Sequence, residues 1–429
     1  MSNLSKLHDI RESESPAGPA RRPRTLAEID VPQTTLEDLA LKTLFLGGPI
    51  SVLELSKRIR LSFEVTTELF YRLRAEQLCH VTGMAGNVPN LAITTQGKSR
   101  AMDLLSLCQY SGPAPVSLQS YVELVRKQSV RNVSVHSADL ARAFSDLVLD
   151  DNMLRQFGTA LNSGVSIFLY GPPGAGKTVI AHAMSRAIAE VAIWIPYAVE
   201  VVGQIITVYD PALHSRIEHH GHSLHDERWV LCHRPSVSVG GELTIEMLDL
   251  ELNSNTKFYD GPVQMKANNG LLIIDDFGRQ RVRPEDLLNR WIVPLDRGID
   301  FLTLAGGRKV EMPFEMLVVF ASNMSPSELK DAAFLRRIKT KIKVGAITDA
   351  QFGEIFRRVA RDNELEVEND TIQELISLIR DSLRQELRAC HPKDLVNQVC
   401  WAARYEGAQP VLDRGALQRA ADAYFLPEF

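Results

Sequence analysis

The sequence has little of what marks a secreted, membrane-spanning or polyanion-coating protein. Its five cysteines, Cys79, Cys108, Cys232, Cys390 and Cys400, are widely spaced and never form a CxxC pair, which argues against a disulfide framework and for a reducing compartment. No apolar run approaches the ~20 residues of a membrane span. No charged segment followed by an apolar stretch opens the chain, so a cytoplasmic location is expected. A net charge of −5 with 24% charged residues leaves no global field toward nucleic acid or anionic lipid. Internal repeats are absent as well. What is present is a chain of 429 residues, 45% hydrophobic, long enough for two or three domains with their own cores.

Residues 1–33 are rich in Ser, Pro, Arg and Glu, with Pro16, Pro19 and Pro23 breaking any helical pattern, and read as a disordered tail. From Thr34 the pattern is helical. Thr34 with Glu37, and Ser51 with Glu54, have capping-box spacing, and Ser62 is placed to cap a third helix. Residues 78–95 alternate and turn at Gly83 and Gly86, and residues 96–107 return to a helical period. Helix, helix, helix, hairpin, helix resembles a winged helix-turn-helix over 34–108. Gly112, Pro113 and Pro115 suggest a linker over 109–137. Residues 138–345 alternate short apolar strands with amphipathic helices, the pattern of a parallel sheet sandwiched by helices. Strands then stop, and 346–429 reads as four helices, at 348–362, 370–387, 392–405 and 414–425.

The chemistry concentrates where the apolar stretch 165–170 runs into Gly171, Pro172, Pro173, Gly174, Ala175, Gly176, Lys177 and Thr178, followed by a helical pattern. This is a phosphate loop in its required strand-to-helix context. Glycines let backbone N–H groups wrap phosphates, the helix N-terminus adds its positive end, Lys177 reaches the outer phosphates and Thr178 ligates magnesium. Downstream, Leu271, Leu272, Ile273 and Ile274 lead into Asp275 and Asp276. Asp275 suits the magnesium shell, and Asp276 suits orienting or deprotonating the attacking water.

From here the series resembles the AAA+ family, whose remaining elements appear in order. The strand-like 316–322 ends in Asn323, which looks like the sensor-1 residue. Residues 331–338 are similar to the arginine-finger segment, with Arg337 the first choice and Arg336 the second. The helical tail resembles the family's lid, and Lys393, behind Pro392, stands where the family usually has the sensor-2 arginine; Arg388 is its rival. The resemblance implies an α/β, three-layer αβα core, magnesium–ATP as cofactor, and a ring of copies, six being the first expectation. A finger from the adjacent subunit would neutralise charge on the transferred phosphoryl group. Asp276 departs from the family's usual glutamate, which implies slow hydrolysis or a nucleotide switch.

Lys177 and Asp275 lie farther apart than the minimal family layout, so an insertion is expected between Pro196 and Ala267, with a turn at Gly240-Gly241 inside a hairpin over 237–245. A second hairpin, turning at Gly306-Gly307 behind a helix over 287–295, resembles the pre-sensor-1 insertion of the MoxR, chelatase and minichromosome-maintenance side of AAA+. Residues 258–261 suggest a pore loop or, preferably, an aromatic turn packed on its own insert. His214, His219, His220, His222, His225, Cys232 and His233 invite a zinc site, but their spacing matches no recurrent ligand set and a polar loop is the default.

On the would-be recognition helix, Glu64, Glu68 and Glu76 offset Arg72 and Arg74, a poor surface for phosphates. A protein partner is therefore favoured over nucleic acid. The whole series resembles bacterial AAA+ ATPases described as having chaperone activity and associated with Flp pilus assembly. A DNA-associated initiator, helicase loader or regulator is the alternative.

Overall fold

The computed structural model describes residues 18–19, 21–218, 225–329 and 332–425. Its first unit comprises α1 (Gln33–Gly47), β1 (Ile50–Ser51), α2 (Val52–Ile59), α3 (Phe63–Ala75), β2 (Cys79–Ala85), β3 (Val88–Ile93) and α4 (Thr95–Leu107). The hydroxyls of Ser51 and Ser62 accept from the N–H groups of Glu54 and Val65, caps worth about 1 kcal/mol each. Thr34 instead lies inside α1, which starts behind Pro32. The strands run in the order β1-β3-β2, and Leu36, Leu55, Val65, Leu69 and Leu91 share one core.

The expected tail needs correction. Residues 1–17 and Ala20 lie outside the described residues, but Leu26, Ile29 and Val31 are buried in that same core. The Leu26 N–H donates to Glu68 at 3.1 Å. Three apolar side chains at short intervals anchor a stretch whose bulk composition reads as disordered.

The expected linker folds too. It contains β4 (Val116–Ser117) and the amphipathic α5 (Leu118–Lys127), and ends at the first residue of α6 (Ser137–Ala143). Tyr121, Leu124 and Val125 of α5 are buried, so Gly112, Pro113 and Pro115 mark a turn, not a tether.

Next come α7 (Asp151–Ser163), β5 (Ile167–Tyr170), α8 (Lys177–Ile188), β6 (Ile193–Pro196), β7 (Ala198–Val201), β8 (Gln204–Thr207), β9 (Trp229–Cys232) and β10 (Ser236–Val239). They are followed by β11 (Glu251–Leu252), β12 (Tyr259–Asp260), α9 (Val263–Lys266), β13 (Leu271–Ile274), α10 (Pro284–Arg297), β14 (Ile299–Thr303) and β15 (Lys309–Pro313). The core closes with β16 (Leu317–Ser322), α11 (Ala332–Arg337) and β17 (Thr340–Lys343).

The central sheet is parallel throughout, in the order β10-β13-β16-β5-β17. Period-2 alternation sorts its apolar side chains between two cores. Ile167, Leu169, Leu271, Ile273, Leu317 and Val319 pack toward α6, α7 and α8. Phe168, Leu272, Ile274, Val318 and Phe320 pack toward α10. The result is an αβα sandwich. The expected hairpin over 237–245 is absent, because β10 pairs with β13 as the edge of this sheet; alternation alone could not name its partner.

The insertion is a second sheet, β11-β12-β8-β7-β4, beside the pair β6-β9. The β14–β15 hairpin packs Leu302, Leu304, Val310 and Met312 into the same core. The first unit and the insertion are continuous, since Ala198 and Ile205 belong to the first unit's core. Gln109 N–H also donates to the Thr256 carbonyl at 2.8 Å, and Tyr110 meets Phe258 edge-on at 5.5 Å.

Among the described residues the last four α-helices are α12 (Asp349–Asp362), α13 (Asn369–Ser377), α14 (His391–Glu406) and α15 (Arg414–Tyr424). The helix expected over 370–387 is shorter. At Ser377 it passes into a π-helical turn, Leu378–Ser382, and then into a loop. Phe352, Phe356, Ile372, Leu395 and Leu417 form the core of this bundle.

Candidate active site

At the carboxyl edge of β5 the chain must turn sharply without side chains in the way. Gly171 N–H donates to the Ser322 carbonyl at 3.2 Å, and a Cβ on Gly171 would stand 1.9 Å from the Val344 carbonyl oxygen. Gly174 has φ +79°, and a Cβ there would lie 2.5 Å from Cys390 Sγ. Pro172, Pro173 and Ala175 complete the loop, and Gly176 precedes α8 in the left-handed region without a capping side chain. The first N–H groups of α8 therefore have no side-chain oxygen at the cap, the arrangement an anion needs.

Lys177 is buried, 8% exposed. Its ammonium donates to the carbonyls of Gly171 and Pro172, both at 2.9 Å, and to Asn323 Oδ1 at 2.8 Å. Burial pushes its pKa down, while Asp276 and Asp275 oppose that shift. The Thr178 hydroxyl donates to the Asp275 carboxylate, at 2.8 Å to Oδ2. Asn323 Nδ2 donates to Asp276 Oδ1 at 3.4 Å, so Asn323 bridges Lys177 and Asp276. These residues, distant in sequence, meet because β13 and β5 both flank β16.

Asp276 is held at φ +47°, a conformation that costs a non-glycine residue roughly 1 kcal/mol. The turn is pinned from two sides. Gln280 donates to the Asp275 carbonyl at 2.7 Å and accepts from Gly278 N–H at 2.8 Å. Phe277 N–H donates to the Ala321 carbonyl at 2.8 Å, and the Ser322 hydroxyl donates to the Phe277 carbonyl at 2.7 Å. Gln280 and Ser322 were not singled out in the sequence, where their only signal is adjacency to the carboxylates and to Asn323.

The remaining cations divide by position. Arg337 pairs with Asp296 at 2.7 Å, and its carbonyl accepts from the Ser166 hydroxyl at 3.4 Å. The register pairs Thr340 with Ile167, which puts Arg337 at the amino edge of the sheet. The phosphate loop is at the carboxyl edge, about 13 Å away along a four-residue strand. Arg336 is exposed. Lys393 is exposed on the first turn of α14, whereas Arg388, from the loop before it, reaches the Pro173 carbonyl at 3.4 Å. Cys390 N–H donates to the Gly174 carbonyl at 3.2 Å.

The residues fit magnesium–ATP. Gly171 and Gly174 leave no room for a Cβ, so the loop closes on backbone alone, and a hydroxyl, an ammonium and two carboxylates are the oxygen-ligand and charge set a hard cation with phosphates requires. Other sequence signals resolve differently. His214 is buried, accepts from Asp210 N–H at 2.9 Å through Nδ1 and holds the Lys266 carbonyl at 2.8 Å through Nε2. Those two contacts place its proton on Nε2 and make it a structural residue. Among the described residues no group of three or more His, Cys, Asp or Glu could hold a metal; His219, His220 and His222 lie outside them. Tyr259 is 1% exposed and its hydroxyl accepts from Ala305 N–H at 2.7 Å. The aromatic segment 258–261 is thus packed on its insert and tied to the hairpin tip. Among the described residues no helix is long and apolar enough to cross a membrane.

Residues 348–423 match a family model described as a domain of unknown function, DUF8689. A search of curated proteins finds no match. Among solved structures, the chain is similar to a RuvB variant of Thermotoga maritima, at 14% identity and TM-score 0.36, over 69% of this chain and 72% of that one. It is also similar to the Thermotoga maritima RuvB Holliday junction branch migration motor, at 15% identity and TM-score 0.37, over 64% and 70%. A third is NtrX of Brucella abortus in complex with ADP, at 15% identity and TM-score 0.39, over 65% and 56%. Likenesses this distant carry no functional argument. The strand order, with β16 between the strand of the phosphate loop and the strand of the paired carboxylates, gives this chain a parallel-sheet αβα P-loop fold.

Proposed function

We propose that this chain is an oligomeric ATPase that binds magnesium–ATP at 171–178 and uses its hydrolysis to remodel a protein partner. The observation that carries this reading is the convergence of Lys177, Thr178, Asp275, Asp276 and Asn323 at one sheet edge. Magnesium would be held by Thr178 and Asp275, and would neutralise phosphate charge. The loop N–H groups bind and orient the phosphates, and Lys177 balances the outer ones. Asp276 accepts the proton of the attacking water, and Asn323 fixes the position of that carboxylate. Arg337, at the far edge of its own sheet, serves the site of an adjacent copy, which makes the active form a ring. ATPase rates of the native chain, Lys177→Ala, Asp276→Asn and Arg337→Ala test this; equal rates in all four would remove the assignment.

The first unit supports a partner-binding role as a winged helix. Arg72 on α3 is engaged by Glu37 and Glu68 at 3.8 and 3.9 Å, and the exposed tip of the β2–β3 hairpin carries no Lys or Arg over 82–87. A protein surface suits this better than a phosphate backbone. The likeness to chaperone-type ATPases of Flp pilus assembly rests on sequence and agrees with that choice. The DNA-associated reading draws its support from the helix order with its hairpin; binding of a fluorescent duplex at low salt would favour it. A slow nucleotide switch is the third reading, and burst kinetics with tight ADP retention would mark it.

A further inference from the structure

Resting on that ATPase reading, we infer that Gln280 is a positioning residue for Asp276: it locks a one-residue bulge whose forward shift takes the place of the methylene that aspartate lacks relative to glutamate. The hydrogen-bond ladder shows the bulge. The N–H groups of Leu271 and Asp275 donate toward β10, to the carbonyls of Pro235 and Val239, both at 2.8 Å. The period of two along a strand makes residue 277 the next donor on that side. Phe277 N–H donates instead to the Ala321 carbonyl on β16, at 2.8 Å. One extra residue therefore stands in the ladder. It is Asp276, at φ +47° and with its N–H turned back onto Asp275 Oδ1 at 3.0 Å. A bulge re-aims the side chain it carries and ends regular pairing. Here the re-aimed group is the carboxylate that meets Asn323 Nδ2 at 3.4 Å, while Asn323 Oδ1 accepts from the Lys177 ammonium at 2.8 Å.

A left-handed aspartate is strained and persists only where its surroundings hold it. Gln280 does so with both ends of its amide. Nε2 donates to the Asp275 carbonyl at 2.7 Å, and Oε1 accepts from Gly278 N–H at 2.8 Å, so the side chain ties together the residues on either side of Asp276 and Phe277. The Ser322 hydroxyl closes the other side through the Phe277 carbonyl at 2.7 Å. Gly278 completes the turn at φ +100°, where a Cβ would stand 2.6 Å from Met324 Sδ. Both partners of Gln280 are backbone groups, so it acts on the conformation of the turn and, through it, on where the Asp276 carboxylate stands.

The test uses the full-length chain with magnesium–ATP, in the native form and as Asp276→Asn, Asp276→Glu, Gln280→Ala and Gln280→Glu, with Asp276→Glu also combined with each Gln280 variant. Nucleotide affinity, kcat and KM are measured, and melting checks the fold. Gln280→Ala is expected to lower kcat about tenfold or more, with KM and ATP affinity near native. Gln280→Glu has nearly the same shape but no donor for the Asp275 carbonyl; it lowers kcat as well and carries the test if the alanine variant does not fold. In the native turn Asp276→Glu overshoots and is slower than aspartate by about tenfold. With the turn released by a Gln280 variant the order reverses, and glutamate is faster than aspartate. A merely structural role of Gln280 does not produce that reversal. Asp276→Glu faster than native, glutamate slower than aspartate in every background, or native kcat in the folded Gln280 variants each overturn the inference. Asp276→Asn at the native rate overturns the ATPase reading of this carboxylate; an inactive Asp276→Asn beside Gln280 variants of native rate overturns this inference alone.

Discussion

The Thr178 hydroxyl donates to Asp275 Oδ2 at 2.8 Å although the two residues are 97 positions apart in the chain. An insertion the size of a small sheet separates them, yet the parallel core returns the carboxylate to the phosphate loop. The pair is expected to share one cation. Thr178→Val should leave the fold intact and raise the magnesium concentration for half-maximal turnover by about tenfold or more. A magnesium titration of activity checks this, and an unshifted midpoint contradicts it.

Arg337 and its own phosphate loop occupy opposite edges of the sheet. Arg337→Ala should therefore retain ATP affinity while losing turnover, by about 10³-fold if it is a finger. Mixing it with Lys177→Ala supplies the decisive measurement. In mixed rings an intact loop meets an intact finger, so activity should reappear on mixing two inactive proteins. Strictly no recovery, with mixed assemblies demonstrated, would show that the arginine acts otherwise.

Asp30 joins the first unit to the insertion through Arg228 at 3.0 Å and through the Ser117 hydroxyl at 2.6 Å. Burial alone would raise its carboxyl, but the Arg228 guanidinium and the Ser117 bonds outweigh that and hold it down at about 2. A folded pKa below the unfolded one gives stability that is present above about pH 4 and is lost as pH falls toward 2. The contribution is on the order of 2 kcal/mol. Melting curves between pH 5 and pH 2 should be steeper in pH for the native chain than for Asp30→Asn, and parallel curves would count against the pair.

Gly171 has no room for a methyl group, because the Val344 carbonyl would be 1.9 Å away. Gly171→Ala must move backbone, at about 1–3 kcal/mol of stability, and should abolish nucleotide binding. Gly83 faces open space at an ordinary φ, so Gly83→Ala should melt within about 0.5 kcal/mol of native. Isothermal titration and melting of both variants give the comparison.

The loop, the paired carboxylates and Asn323 were legible in the sequence because phosphate chemistry fixes residue type and spacing together. The central strands were legible because a sheet covered on both faces reads as continuous apolar runs. The mis-readings share a cause. Leu26, Ile29 and Val31, and Tyr121 with Leu124 and Val125, are core residues whose signal is masked by nearby prolines and glycines that dominate the local composition. Val237 and Val239 alternate as a hairpin strand would, and only the register with Leu272 and Ile274 identifies them as a sheet edge. The lid presents another limit: spacing from Pro392 favours Lys393, but the break in helicity after Ser377, which swings Arg388 onto the phosphate loop, is set by packing and not by any local signal.

The shared core of Ala198 and Ile205 with the first unit, and the Tyr110–Phe258 contact, have a mechanical meaning. The amino-terminal helices are not cargo on a string; they form a stiff outrigger bolted to the insertion sheet, which Tyr259 couples to the hairpin tip at Ala305. In the proposed ATPase, a tilt of that hairpin would be passed through the insertion sheet to the first unit instead of being absorbed by a tether.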